Sequence, residues 1–400
     1  MLNPSRDRNE NQAHQALLPL IKQEADRHGV LSFARFMELA LYTPDLGFYQ
    51  RSETVIGCSG DFFTSVSVGR LFGELLACQF AAWFGKIPLK KPVIVECGAH
   101  DGQLANDILN GLDSKWPKVF NAVEYSIVEP SETRRNWQQT TLKNHLNKIR
   151  WFHSWTELSS FCDSSGHPLT GVVFSNELLD AMPVHRLQWN RYSREWRELG
   201  VTCRGDGLEF KQMPLSDEVL RYGDTMNELL PGDDETLLWP RIPKPLLDAL
   251  PDGFITEICP NALDWWRNAA DTLDTGWLVA ADYGLLAEEF FMPQRANGTL
   301  RAYRDHKFAE NVLADPGEQD LTASVNFSAV ERAGELAGLQ TEGLESQSKV
   351  LTKIMAELWP QETAPLAREQ IRQFQTLTHP DHLGRAFKVL VQSRNITGEH

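Results

Sequence analysis

The chain has 400 residues, 42% of them hydrophobic and 23% charged, with a formal net charge of −15. That composition excludes global disorder, a collagen-like repeat and a small disulfide scaffold, and its acidity disfavours non-specific binding to nucleic acid or anionic membrane. The six cysteines contain no C-x-x-C pair, so neither a zinc knuckle nor a redox motif is encoded, and no metal site is expected.

The opening segment, MLNPSRDRNENQ, has no apolar core and carries Asp7 and Glu10. This argues against a secretory signal and against a transit peptide. No apolar run is long enough to span a bilayer. The resulting expectation is a cytoplasmic protein without a membrane span.

Residues 1–90 read as a helical segment. Ala13, Leu17, Ile21 and Ala25 form a stripe at helical spacing that stops at Gly29. A second helix is predicted from Phe33 to Leu41 and a third near Gly69–Phe84, after a loop at Gly57–Thr64. From Pro92 the pattern changes. PVIVECG, EYSIVEP (124–130), IRWFHSW (149–155) and GVVFSNE (171–177) read as strands, with helices after the first two. Such alternation implies right-handed βαβ units and a parallel sheet. Hairpins are predicted over 185–214, helices near 216–230 and 260–273, and strands at 276–284 and 387–394.

Three places carry chemistry. In ECGAHDGQL (96–104), Gly98 ends a strand and Gly102 precedes a helix. Glycines there let backbone approach a ligand, and the helix start offers free N–H groups. The dinucleotide spacing does not fit, because His100 and Gln103 occupy its later glycine positions. A plain strand-to-helix turn is the alternative. Glu129 ends the next strand, where a carboxylate can accept both hydroxyls of a ribose. The alternative is an acidic residue that simply complements a helix dipole. In SNELLDAMPV (175–184), Glu177 and Asp180 share a face if the turn is helical. Asn176 is then a helix cap. Two carboxylates above the ligand crevice suit a cationic group, and an ordinary capped helix start stays open. No nucleophile elbow and no histidine–carboxylate zinc motif is present.

Eight collinear blocks then match one family. They are FARFMELALYTPDLGFY (33–49), GDFFTS with FGE at 72–74, ECGAHDG, IVEPS, SNELLDAMPV, ADYG (281–284), GTLRAYRDH (298–306) and PGEQDLTASVNF (316–327). On these the chain resembles the MidA-type class I methyltransferases, a family that includes the mitochondrial complex I assembly-factor arginine methyltransferase. The sequence departs from the family pattern at His100, at Val66-Ser67, and at Ser324 and Asn326.

The resemblance implies a Rossmann-like α/β fold with a mostly parallel seven-strand sheet. It divides the chain into a helical N-terminal cap, 1–90, and a methyltransferase domain, 91–400, with insertions at about 185–275 and 285–325. It implies S-adenosyl-L-methionine as cofactor, with Asp61, Gly98, Gly102, Glu129 and Asn176 facing it. It implies arginine of a protein as acceptor, gripped by Glu177 with Asp180 second, and Asp282 and Tyr283 facing the same cleft. The protein substrate is expected to be a respiratory-complex subunit or another assembly client. A methyltransferase-fold assembly chaperone without activity is the second reading, and a dinucleotide oxidoreductase the third. At His100 the expectation is an imidazole pointing to solvent.

Overall fold

The computed structural model describes residues 6–51, 64–87, 91–166, 168–205, 207–229, 244–304, 307–359, 366–384 and 386–396. Its layering follows from alternation along the central strands. Ile94, Tyr125, Val172 and Phe174 enter one apolar cluster, while Val95, Cys97, Val173 and Leu278 enter another on the opposite face. A strand buried on both faces has to read as a continuous apolar run, as VIVEC does.

Seven strands form the main path: β1 Val93–Cys97, β2 Glu124–Val128, β3 Ile149–Phe152, β4 Leu169–Asn176, β5 Leu273–Leu285, β6 Gln340–Ser346 and β7 Phe387–Arg394. Their spatial order is β6-β7-β5-β4-β1-β2-β3. The five strands from β3 to β5 are parallel, and β7 lies antiparallel between β5 and β6. The expected mostly parallel sheet is present with an addition. Val325–Asn326 pairs parallel with the end of β5, so the sheet has eight strands. The strand β6, QTEGLES, lies at the sheet edge without an apolar run, so periodicity gave no sign of it.

A second, antiparallel sheet joins distant parts of the sequence. It runs Leu31–Ser32, Glu195–Arg204, His185–Asn190 and Ile255–Ile258, with Gly207–Met213 also paired to Glu195–Arg204. A third, small sheet contains Arg301–Arg304, Lys307–Phe308 and Asp320–Thr322. One apolar cluster, including Phe33, Phe36, Met37, Val201, Ala302 and Leu321, glues these parts together. No helix among the described residues is long and apolar enough to cross a membrane.

A buried amide pins the helices to the sheet. Gln392 of β7 is fully buried, and its Oε1 accepts the Trp266 indole N–H at 2.7 Å. Its Nε2 donates to Glu331 O at 2.7 Å and to Thr341 Oγ1 at 3.0 Å. One side chain thereby ties the helices Pro260–Thr272 and Phe327–Leu336 to β6 and β7. Replacing it with an apolar isostere strands buried donors and acceptors, which costs more than a hydrogen bond contributes. Gln392→Leu is expected to lower the unfolding free energy by about 2 kcal/mol or more. The denaturant midpoint measures it.

Candidate functional site

The site is built at the carboxyl ends of β1, β2 and β4, where ligands bind in open α/β sheets. After β1 the chain turns through Gly98 (φ +76°), His100 (φ +46°) and Gly102 (φ +84°). Gly102 N–H donates to Ala99 O at 2.7 Å, and Asp101 Oδ1 accepts the Gln103 N–H at 3.0 Å as the helix Gln103–Lys115 begins. A Cβ at Gly98 would lie 3.0 Å from Leu178 Cδ1, so this turn packs against the turn after β4.

Glu129 follows β2 and is 4% exposed. Its Oε1 accepts the Ser131 N–H at 2.9 Å and its Oε2 accepts Gln138 Nε2 at 3.1 Å. Burial raises its pKa above the usual carboxylate value, against the opposing pull of the Ser131 N–H, Arg134 and Gln138. Two bonds leave carboxylate lone pairs to spare.

At the ends of β4 and β5 lies a group of acids, with Asp180 and Asp282 buried and Glu177 half-buried. Glu177 has φ +52°, and its Oε1 accepts Ser65 N–H at 2.9 Å and Asn176 Nδ2 at 3.1 Å. Burial pushes its pKa up to about 8, and the nearby Asp282 and Asp320 push the same way. Asp282 has no solvent exposure; its Oδ2 accepts the N–H groups of Leu178 and Leu179 at 3.0 and 2.8 Å, and its Oδ1 that of Tyr283 at 2.7 Å. Its pKa is still pushed up to about 6, mainly by burial. Asp180 is raised well above the ordinary range, by burial first and then by Asp282, Asp320 and Glu177. Among the described residues, no lysine or arginine forms an ion pair with Glu177, Asp180 or Asp282.

Residues 42–51 and residues 318–323 make polar contacts beside these acids. Tyr42 Oη donates to Ala181 O at 2.8 Å, and Tyr49 Oη donates to Asp320 Oδ1 at 2.6 Å. The two rings stack at 5.7 Å. Arg134 donates to Tyr49 O at 2.6 and 3.0 Å, and Arg51 pairs with buried Glu318 at 2.7 Å. Ala323 N–H donates to Asp180 O at 2.9 Å.

The structure thus brings Glu177 and Asp180 together with Asp282, and sets Gly98 beside them. Gly102 and Glu129 join through Gln138, whose Nε2 also donates to His100 O at 3.0 Å. Asp61 lies outside the described residues. Two expectations need correction. The turn after Glu177 is not helical, and Asn176 is no helix cap but the last residue of β4. Left-handed backbone at Glu177 and the capture of two N–H groups by Asp282 replace the helix. His100 does not point freely to solvent. Its ring packs edge-on to Trp137 at 6.0 Å, its Nδ1 lies 3.6 Å from Asp101 Oδ1, and its Nε2 is buried with no hydrogen-bond partner. Asn326, a departure from the family pattern, caps the helix Phe327–Leu336 by accepting the Ala329 N–H at 3.1 Å. Asp320, Tyr42 and Tyr49 sat inside matched blocks without a role, and Gln138 gave no signal at all.

Residues 75–345 match the family of S-adenosyl-L-methionine-dependent methyltransferases. The chain belongs to that family. It is 28% identical to a Burkholderia thailandensis protein whose crystal structure holds S-adenosyl-homocysteine, with a TM-score of 0.77 over 100% of this chain and 96% of that one. It is also 26% identical to the mitochondrial protein arginine methyltransferase NDUFAF7 of Xenopus tropicalis, over 92% of this chain and 84% of the relative. The human NDUFAF7 is 27% identical over 90% and 79%. The cofactor of this methyltransferase is S-adenosyl-L-methionine. The expectation of a cytoplasmic protein is corrected by the NDUFAF7 relatives, which are named mitochondrial.

The raised pKa of Glu177 is a stability statement. A carboxyl that ionises near 4.5 when unfolded and near 8 when folded contributes stability below pH 4.5 that is lost as pH rises to about 8. Glu177→Gln keeps the Ser65 contact and removes the titration. The variant is expected to be more stable than the parent, by roughly 4 kcal/mol at pH 8. The difference should grow from about pH 4.5, level off above pH 8, and be readable as melting temperature against pH.

Proposed function

We propose that this methyltransferase acts on arginine side chains of a protein substrate. The observation that carries the reading is a set of adjacent carboxylates, the half-buried Glu177 beside the buried Asp180 and Asp282, with no ion-paired lysine or arginine among the described residues. Such a set is poor at holding its own charge and well suited to a cation arriving from outside. A guanidinium presents five N–H donors in a planar fork that matches carboxylates. The names of the relatives as protein arginine methyltransferases support the same acceptor.

The cofactor supplies a methyl group already activated on a sulfonium, so the chain has to align the acceptor and exclude water. In this reading Glu177 grips the guanidinium, with Asp180 second. Approach of a cation lowers both carboxyl pKa values and drives off their protons. The nitrogen that gains the methyl group must also lose a proton, and the ionised carboxylate gripping the guanidinium is the acceptor at hand. Asp282 positions the turn through the Leu178 and Leu179 N–H groups. Gly98, Gly102, Glu129 and Asn176 hold the cofactor, with Asp61 joining from outside the described residues. The buried orphan atoms His100 Nε2 and Asn176 Oδ1 fit a polar ligand here. Residues 1–90 serve as the cap and 91–400 as the methyltransferase domain, with insertions at about 185–275 and 285–325. The shared sheet of Leu31–Ser32 and Glu195–Arg204 supports a cap made from both parts. The partner is proposed to be a protein such as a respiratory-complex subunit or another assembly client.

Glu129→Ala should weaken cofactor binding by about 5- to 150-fold, measured by calorimetry. Glu177→Gln should keep cofactor affinity while methyl transfer to arginine-bearing protein falls by about two orders of magnitude. In the parent, kcat/KM should rise as pH passes through about 8, because only the ionised carboxylate grips the cation. A Glu177→Gln chain that transfers methyl groups at the parent rate would overturn its role, and a parent that binds cofactor yet transfers nothing would favour the assembly chaperone.

A further inference from the structure

Gln138 lies on the helix Glu132–Thr141 and is completely buried. Both N–H groups of its amide are engaged, and its oxygen has a donor. Oε1 accepts the Trp151 indole N–H at 2.8 Å, while Nε2 donates to Glu129 Oε2 at 3.1 Å and to His100 O at 3.0 Å. An indole nitrogen can only donate, so Trp151 fixes which end of the amide faces it. The two N–H groups are thereby aimed at two acceptors, one on each side of the cofactor crevice. One is the carboxylate after β2. The other is a carbonyl in the turn after β1, on a residue held at φ +46°, where side-chain-bearing residues are uncommon.

We propose that Gln138 is a positioning residue that locks the Glu129 carboxylate and the turn at His100 into one cofactor-holding unit. The inference rests on the reading of Glu129 as the ribose acceptor. It assigns a function to a side chain that does not itself touch the cofactor. With Trp151 behind it, the amide holds one Glu129 oxygen while Ser131 N–H holds the other, so the carboxylate has one orientation to offer. A freely rotating carboxylate would have to be ordered at binding, and that cost would subtract from affinity. Facing Glu129 are Arg134 and Arg135 from the same helix and Cys97 from β1, with His100 and Asp101 on the adjoining turn.

The test is titration of the full chain with S-adenosylhomocysteine. Gln138→Leu should raise Kd by about 10-fold or more. Combined with Glu129→Ala, its loss should fall clearly short of the product of the two single losses, because both act on one grip. Gln138→Glu keeps the size and gives a readout that simple structural damage would not. Its protonated carboxyl can still donate to Glu129, whereas its ionised form repels it. Affinity of this variant should therefore fall as pH rises from about 6 to 9, while that of the parent holds or improves. If Gln138→Leu fails to fold, the pH profile of Gln138→Glu decides. A folded Gln138→Leu chain that binds within about 2-fold of the parent overturns the assignment, as do independent losses in the double variant or a parental pH profile in Gln138→Glu. The parent titration separates the two failures. A parent that does not bind S-adenosylhomocysteine overturns the cofactor reading and this assignment together, and a parent that binds while the variants match it overturns this assignment alone.

Discussion

Burying carboxylates beside one another is the constraint on which the site depends. Glu177, Asp180 and Asp282 lie within each other's fields, with Asp320 close by. Each would rather be protonated or solvated. Among the described residues the fold meets this with hydrogen-bond donors rather than paired side-chain cations. Asp282 collects three N–H groups, and Glu177 collects the Ser65 N–H and an amide from Asn176. Those bonds lower the cost of charge without neutralising it, which is the basis for proposing that a cation from outside is received here.

Keeping that dielectric low requires a cover, and the cover comes from far along the sequence. Tyr42 and Tyr49 are delivered by the N-terminal segment, Ala323 and Asp320 by the later insertion, and Arg134 by the helix after β2. Each contact ends on a backbone carbonyl or a carboxylate of the site, so polar satisfaction and water exclusion are achieved together. The small apolar cluster around Phe33, Phe36 and Leu321 supplies the hydrophobic burial that holds this cover down.

The central strands were legible because burial on both faces leaves an uninterrupted apolar run, and the placing of Gly98, Gly102 and Glu129 at strand and helix ends because their offsets carry geometric meaning. The turn at Glu177 was misread for an instructive reason. Its local spacing suits a helix, and the competing acceptor, Asp282, is remote in sequence. Gln138 and Asp320 escaped for the same cause, since their roles exist only through partners on other strands and loops. Trp151, which orients Gln138, reads in sequence as one more apolar residue of a strand. At His100 a solvent-facing ring was expected because Gly98 and Gly102 flank it, and the ring of Trp137, on a later helix, packs against it instead.

The pairing of Leu31 with Val201 has a consequence for biogenesis. A ribosome delivers residue 31 long before residue 201, so the short first strand must wait for its neighbour. Meanwhile the helix Phe33–Tyr42 carries Phe33, Phe36, Met37 and Leu41, all destined for the interior, without the surface that will cover them. Long-range closure of this kind is slow and leaves sticky surface on the nascent chain. This stretch of the polypeptide therefore needs a holding chaperone or a delay in exposure during translation.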